Sequence, residues 1–145
     1  MSIKYIEIIE EVIEIHHKTV EISGGGLKGV IDTSALESAL EFIKDDLYYP
    51  TFEDKLTHLF FVANKSHCFQ DGNKRIAISL GLKFLINNGY LRATERFIFR
   101  METISLHTAA GRIDKDLLRE IICSIVNEED YSEELKIKIM NAISG

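Results

Sequence analysis

Nine consecutive residues near the middle of the chain concentrate its chemically active groups. They read His67-Cys68-Phe69-Gln70-Asp71-Gly72-Asn73-Lys74-Arg75. Apolar residues at helical spacing flank them on both sides, from Phe52 to Ala63 before and from Ile76 to Leu85 after. The pattern predicts a loop between two packed helices. His67 falls one step beyond the first apolar stripe, which predicts that its side chain points inward.

The second of these helices is predicted to begin at an anion-binding turn. The first turn of a helix has backbone N–H groups without helical acceptors and carries partial positive charge. Gly72 and Asn73 are therefore candidate phosphate-binding residues, because the glycine lets an anion approach closely. Lys74 and Arg75 add two full positive charges to the same turn.

Three further residues of the stretch have candidate roles. Asp71 is a candidate ligand of Mg²⁺, which takes one or two carboxylates together with substrate phosphates and water. His67 is a candidate base near neutral pH. Phe69 is predicted to anchor the loop in the hydrophobic core.

Taken singly, each polar residue also has a structural interpretation. Asp71 can be a helix N-cap, Lys74 and Arg75 a solvated helix start, and His67 a core histidine. Their joint occurrence between two apolar helices favours a functional site.

The rest of the sequence predicts an all-α protein, a single domain over residues 1–145 with six or seven helices. Apolar residues make up 46% of the chain, charged residues 28%, and there is one proline, which is typical of a globular domain. No run alternates as a strand would. Helices are predicted from Ile3 to about Lys18 and from a cap at Asp32 or Thr33 to about Lys44. A third helix is predicted to begin at Phe52, and a fourth to run from Gly72–Asn73 to Asn88. Three more are predicted over 97–110, 114–127 and 132–143.

Charge and hydropathy exclude several classes of protein. The 17 Lys and Arg against 23 Asp and Glu give a net charge of −6, which is unfavourable for binding nucleic acid. No apolar run approaches the roughly 20 residues that span a bilayer, and the N-terminus does not resemble a signal peptide. We therefore expect a cytoplasmic protein. Cys68 and Cys123 are far apart and are interpreted as reduced packing residues.

A glycine-rich segment precedes the second helix, and its residues are Gly24, Gly25, Gly26, Leu27, Lys28 and Gly29. It is predicted to be a mobile flap over the site that docks an extended target segment, or a plain flexible connector. Its GxGxxG spacing lacks the surrounding βαβ unit of a dinucleotide site, and Val30-Ile31 stand where a P-loop needs Lys and Ser or Thr. His16 and His17 are predicted to lie at the end of the first helix, where its dipole favours them. His58 and His107 are interpreted as structural or surface residues.

The stretch from His67 to Arg75 resembles the signature of the Fic/Doc family, and specifically H-x-F-x-D-[AG]-N-K-R of its death-on-curing (Doc) branch. The resemblance covers about residues 24–115. It implies a Fic/Doc helical bundle with a glycine-rich flap. Adenylylating Fic enzymes instead have H-P-F-x-[DE]-G-N-G-R-x-x-R, and this chain has Cys68, Lys74 and Ile78 in place of their proline, glycine and last arginine. The Doc branch shares the last two differences.

The resemblance implies a phosphotransferase (kinase) that uses ATP and Mg²⁺ to phosphorylate a Ser or Thr of a target protein, elongation factor Tu in the known case. It implies His67 as general base, Asp71 as the metal ligand and residues 72–75 as phosphate ligands. It also implies the toxin half of a toxin–antitoxin pair, with an antitoxin covering the site. The internal inhibitory motif [ST]-x-x-x-E-[GN] is not matched, because its nearest candidate, Thr33 to Ser38, ends in serine.

Three alternatives remain open. One is an AMP-transferring Fic enzyme (an AMPylator). Another is a metal-dependent phosphohydrolase that uses His67 and Asp71 at i, i+4 spacing on one helix face. The third is a relative that binds nucleotide without turnover.

Overall fold

The structure is a computed structural model that describes residues 2–22, 29–69 and 72–144, with the backbone alone for Thr19. These residues form seven helices, so the predicted all-α fold is confirmed. Val30 and Phe69 add one isolated antiparallel β-bridge. The helices are α1 (Ile9–Ile22), α2 (Ser34–Phe42), α3 (Phe52–Lys65), α4 (Asn73–Asn87), α5 (Leu91–Ala109), α6 (Lys115–Asn127) and α7 (Glu133–Ser144).

Helix α4, together with α3, lies at the centre of the bundle. It packs against α1, α3 and α5, and all seven helices contribute to the same hydrophobic core. A β-carbon at Gly81 would overlap the ring of Phe97, so the glycine is what allows α4 and α5 to approach so closely. The buried residues of α4 are Ile76, Ala77, Leu80, Gly81, Phe84 and Leu85.

Helix α3, which leads to the candidate site, has a strong start signal. The Thr51 hydroxyl accepts the N–H of Asp54 at 3.1 Å, and the Asp54 carboxylate accepts the N–H of Thr51 at 3.2 Å. This capping box satisfies two N–H groups at the helix start. Pro50 lies just outside the helix.

The predicted bounds of α1 were wrong at both ends, since the helix begins at Ile9 and extends to Ile22 rather than about Lys18. Before it, the N–H and C=O of Lys4 bond to the side chain of Asn88 at 2.8 and 3.0 Å. These contacts hold the first residues in a non-helical conformation against the end of α4.

Helix α5 begins at Leu91, six residues before the predicted Phe97. Gly89 has a φ of 82°, which reverses the chain directly after α4. Arg96 then fixes the early part of α5, because its Nε and Nη2 donate to the Ile125 carbonyl of α6 at 3.0 and 2.8 Å. This contact ties the early part of α5 to α6.

None of the helices in the described part of the chain combines the length and the apolar character that crossing a bilayer requires.

Candidate active site at the start of α4

His67 lies just after the end of α3, and its exposed side chain contradicts the predicted inward orientation. Ser66 is the C-cap of α3, and its hydroxyl donates to the Val62 carbonyl at 2.6 Å. The backbone of His67 then turns into the left-handed region with a φ of 49°. The apolar stripe of α3 therefore does not continue to position 67, and the imidazole faces solvent.

The next two residues are buried and attach the loop to another part of the chain. Cys68 and Phe69 are each 1% exposed. The Cys68 carbonyl accepts two N–H groups, from Ile31 at 2.8 Å and from Asp32 at 3.2 Å. With the bridge between Val30 and Phe69, these bonds place the segment that follows the glycine-rich stretch directly beside the motif.

Asn73, the first residue of α4, uses its side chain to hold the backbone of Phe69. Its Oδ1 accepts the Phe69 N–H at 3.2 Å, and its Nδ2 donates to the Phe69 carbonyl at 2.8 Å. The Asn73 amide thereby joins the loop to the helix start, and the part of this residue that faces an anion at the turn is its backbone N–H.

Gly72 is the N-cap of α4 and has a φ of 77°, a conformation that glycine adopts without the cost of a β-carbon. Its carbonyl accepts the Ile76 N–H at 2.8 Å, which begins the helix. Lys74 and Arg75 follow on the first turn, and both are exposed. The turn therefore combines a glycine, the N-terminal end of a helix dipole and two cations, an arrangement that attracts phosphate.

His16 also belongs to this region, although the sequence pattern did not predict it. His16 is fully buried in the middle of α1, not at its end. Its ring stacks on that of Phe69, with centroids 3.8 Å apart and planes 10° apart. One signal points to this position, because His16 continues a buried stripe at four-residue spacing between Val12 and Val20.

Asp32 contributes a carboxylate beside the loop. It accepts the N–H of Ser34 at 2.9 Å and the Ser34 hydroxyl at 2.6 Å, and these bonds lower the pKa of Asp32. Asp32 thus supplies the bonds expected of a cap for α2. Thr33 occupies the N-cap position, but its hydroxyl donates to Glu37 at 3.0 Å.

Two groups of predicted site residues lie outside the described residues. These are Asp71 and the flap residues Gly24, Gly25, Gly26, Leu27 and Lys28. Gly29, the last flap residue, is described and is partly buried. Within the described ranges, no three His, Cys, Asp or Glu side chains cluster as a metal site would. A single carboxylate next to a phosphate-binding turn nevertheless has the donor chemistry that Mg²⁺ uses with a nucleotide.

The geometry does not favour the phosphohydrolase alternative. That alternative requires residues 67 and 71 to share one helix face, but α3 ends at Lys65 and α4 begins at Asn73. A groove of about 770 Å³ lies elsewhere, between residues of α5 such as Ile98 and Phe99 and Asp130, which follows α6. Backbone N–H groups and cations can bind phosphate at an open surface, without a deep groove. The turn at Gly72 is therefore a better candidate for the active site than the groove beside α5.

A family model described as the Fic/DOC family matches residues 5–85. No curated protein and no solved structure gives a significant match to the chain. The matched range is more than half of the 145 residues, and it contains the exposed histidine, the glycine turn and the helix that packs His16 on Phe69. On the strength of this match, the chain belongs to the Fic/DOC family.

Proposed function

We propose that this protein is a Doc-like kinase, which transfers the γ-phosphate of ATP to a Ser or Thr hydroxyl of a target protein such as elongation factor Tu. Members of the Fic/DOC family are transferases that act on proteins and bind ATP with a metal. The observation that carries the finer proposal is Lys74. It lies exposed on the first turn of α4, two residues after the glycine N-cap, where the adenylylating pattern has glycine.

His67 is proposed as the general base. Its exposed imidazole, held at the end of α3, can reach a hydroxyl on another protein. His67 takes the proton of that hydroxyl as the oxygen attacks the γ-phosphorus, and the bond from the γ-phosphorus to the bridging oxygen of ADP breaks. The products are the phosphorylated side chain and ADP, and His67 returns its proton to solvent.

The start of α4 is proposed to hold the phosphates. The backbone N–H groups of the first turn point toward the anion, and Lys74 and Arg75 supply full charges in the same place. A cation beside the transferring phosphoryl group stabilises the charge that develops on it. Asp71 would hold Mg²⁺, which neutralises phosphate charge when it is bound.

The segment after the glycine-rich stretch is proposed to dock the target. Val30 and Ile31 are 45% and 62% exposed although both are apolar, and hydrogen bonds to the Cys68 carbonyl fix this segment next to the catalytic loop. An extended target segment that pairs here would present its hydroxyl near His67. In this proposal an antitoxin controls the protein by covering the site, neither nucleic acid nor membrane is a partner, and the location is the cytoplasm.

The alternative is transfer of AMP. Gly72, Asn73 and Arg75 are common to the Doc and adenylylating patterns, and the exposed side chain of Lys74 can turn away from the helix start. The two reactions transfer different parts of ATP, so an isotope label separates them.

The test is to incubate the purified protein with elongation factor Tu and ATP labelled at either the γ- or the α-phosphate. We expect label transfer from the γ position alone and an intact-mass increase of one phosphate on the target. His67→Asn is the inactive control. An adduct of AMP mass would refute the kinase and support AMP transfer instead. If neither elongation factor Tu nor any protein of a bacterial extract gains an adduct, protein modification itself is refuted.

A further inference from the structure

Three independent contacts fix Phe69, the residue two positions after His67. The Asn73 amide holds its backbone on both sides. The bridge to Val30 pairs it with the segment before α2. The third contact is the stack of its ring on His16, and this one links the loop to α1, a helix that supplies no other candidate site residue.

His16 also contacts the phosphate-binding turn. A β-carbon placed on Gly72 would lie 3.4 Å from Nε2 of His16 and 3.5 Å from Cγ2 of Val20. The imidazole therefore stacks its face on Phe69 and directs its Nε2 edge toward the space beside Gly72. One buried side chain supports both ends of the segment that separates the proposed base from the phosphate site.

We propose that His16 is a positioning residue for the transfer reaction, an inference that rests on the proposed function. Through Phe69 it holds the left-handed turn of His67 in place, and through Gly72 it sets the distance of that turn from the start of α4. His16 itself is fully buried, so it acts through these neighbours rather than on the substrate.

The shape of the imidazole suits this role. Its flat face allows a stack with only 10° between the planes, which a tetrahedral side chain such as leucine cannot reproduce. A phenyl ring would keep the stack but would extend beyond the position of Nε2 toward Gly72. Glutamine carries a planar amide whose nitrogen can occupy a place similar to that of Nε2.

The kinetic effect should fall on turnover. Helix α4 is anchored by its own buried residues, including Ile76 and Ala77, so its first turn keeps its place when His16 is shortened. The loop that carries His67 loses one of its three restraints. We expect His16→Ala to lower kcat for transfer to elongation factor Tu by about 10- to 100-fold, because small displacements of a catalytic group cost this much, and to leave the KM for ATP unchanged. His16→Gln should restore most of the rate.

Two matched controls separate positioning from general loss of stability. His17→Ala makes the same change one residue along α1, at a side chain that is only partly buried. Leu118→Ala truncates a fully buried residue of α6, a helix that packs against α3, α5 and α7, and lowers stability. Both controls should keep the wild-type kcat when assayed well below their melting temperatures.

Nuclear magnetic resonance tests the inference without any enzymatic activity. In the wild type, the ring protons of His16 should be shifted upfield by the stacked Phe69 ring, and Phe69→Leu should remove that shift. In His16→Ala, the amide resonances of residues 67–69 should move, while those in α6 stay in place. His17→Ala should move none of these loop resonances.

The outcomes distinguish the two proposals. A wild-type protein without transfer activity refutes the proposed function, and the resonances of residues 67–69 then decide the positioning role alone. Unmoved loop resonances in His16→Ala overturn the inference. A folded His16→Ala variant with the wild-type kcat overturns it too, as does an equal loss of kcat in Leu118→Ala.

Discussion

The side chain of Asn73 and the backbone of Phe69 form a closed pair, in which the amide accepts the N–H at 3.2 Å and donates to the C=O at 2.8 Å. An asparagine can satisfy both groups of one residue because its donor and its acceptor lie side by side. The pair spans the turn that contains Gly72. It connects the loop of the proposed base to the helix of the proposed phosphate site.

Removing this pair should destabilise the protein. Asn73→Ala deletes two hydrogen bonds to a partly buried backbone, and at roughly 1 kcal/mol each we expect the free energy of unfolding to fall by about 2 kcal/mol. Urea denaturation measures the change. The matched control is Asn127→Ala, because the Asn127 amide makes one exposed bond, to the Cys123 carbonyl at 3.0 Å, and its loss should cost far less. Equal costs for the two variants would contradict the structural role of Asn73.

The backbone of His67 should carry strain that catalysis requires and folding does not. A residue other than glycine with a φ of 49° is disfavoured because its β-carbon crowds the backbone. We expect His67→Gly to raise the free energy of unfolding by about 0.5 kcal/mol, after the greater unfolded-state entropy of glycine is allowed for. The same variant should bind ATP and transfer nothing. A His67→Gly protein that is less stable than the wild type would show that position 67 is not strained.

Lys74 should decide which part of ATP is transferred. Lys74→Gly removes both a charge and the side chain that separates the Doc pattern from the adenylylating one. We expect kinase activity to fall about 10²-fold or more, as when one electrostatic stabiliser is lost, with AMP transfer weak or absent because Ile78 carries no charge. Lys74→Met removes the charge and keeps the length, so it should lose kinase activity without gaining AMP transfer. The intact mass of the modified target distinguishes phosphate transfer from AMP transfer. An AMP adduct formed by the wild type would refute the kinase assignment.

Lowering the pH should destabilise the protein because of His58, which lies in α3 away from the site. Burial, and next the charge of Lys115, lower the pKa of His58 from 6.5 to about 4, and the Lys115 ammonium lies 2.7 Å from His58 Nδ1. In the unfolded chain His58 therefore binds a proton near pH 6.5, whereas in the folded chain it binds one only near pH 4. The contribution of neutral His58 to the free energy of unfolding is complete above pH 6.5. It is lost as the pH falls from 6.5 to about 4.

Two variants test the assignment to His58. Lys115→Met removes the nearby charge, so the pKa of His58 should rise and the slope of unfolding free energy against pH should become shallower. His58→Leu should remove the contribution of this residue to the slope. Urea denaturation at several pH values between 4 and 7 measures it, and a slope unchanged in both variants would contradict the assignment.

Local signals in the sequence were sufficient for much of the fold. The start of α4 follows from a glycine and the helix formers after it, and the start of α6 from Asp114, whose carboxylate accepts the Leu117 N–H at 2.8 Å. The buried face of α4 follows from apolar spacing alone. Each of these features depends on residues within four positions of one another.

The predictions that failed depended on contacts between distant parts of the chain or on one side-chain bond. The spacing of α3 extends to His67, but Ser66 bonds back to the Val62 carbonyl and the helix ends first. The residues of α5 before Phe97 include Arg96, which bonds to the Ile125 carbonyl of α6, 29 positions away. The stack of His16 on Phe69 joins residues 53 positions apart, and the spacing within α1 does not identify that partner.

The bridge between Val30 and Phe69, together with the stack of His16, also determines when the site can exist during synthesis and folding. A helix–loop–helix peptide over residues 52–87 would contain the whole nine-residue signature and yet lack two of the three partners that fix Phe69. The geometry of the signature therefore depends in part on residues made before it, in α1 and around Val30. A nascent chain cannot assemble that geometry until α1, the segment around Val30 and the start of α4 have all emerged, which is about half of the 145 residues.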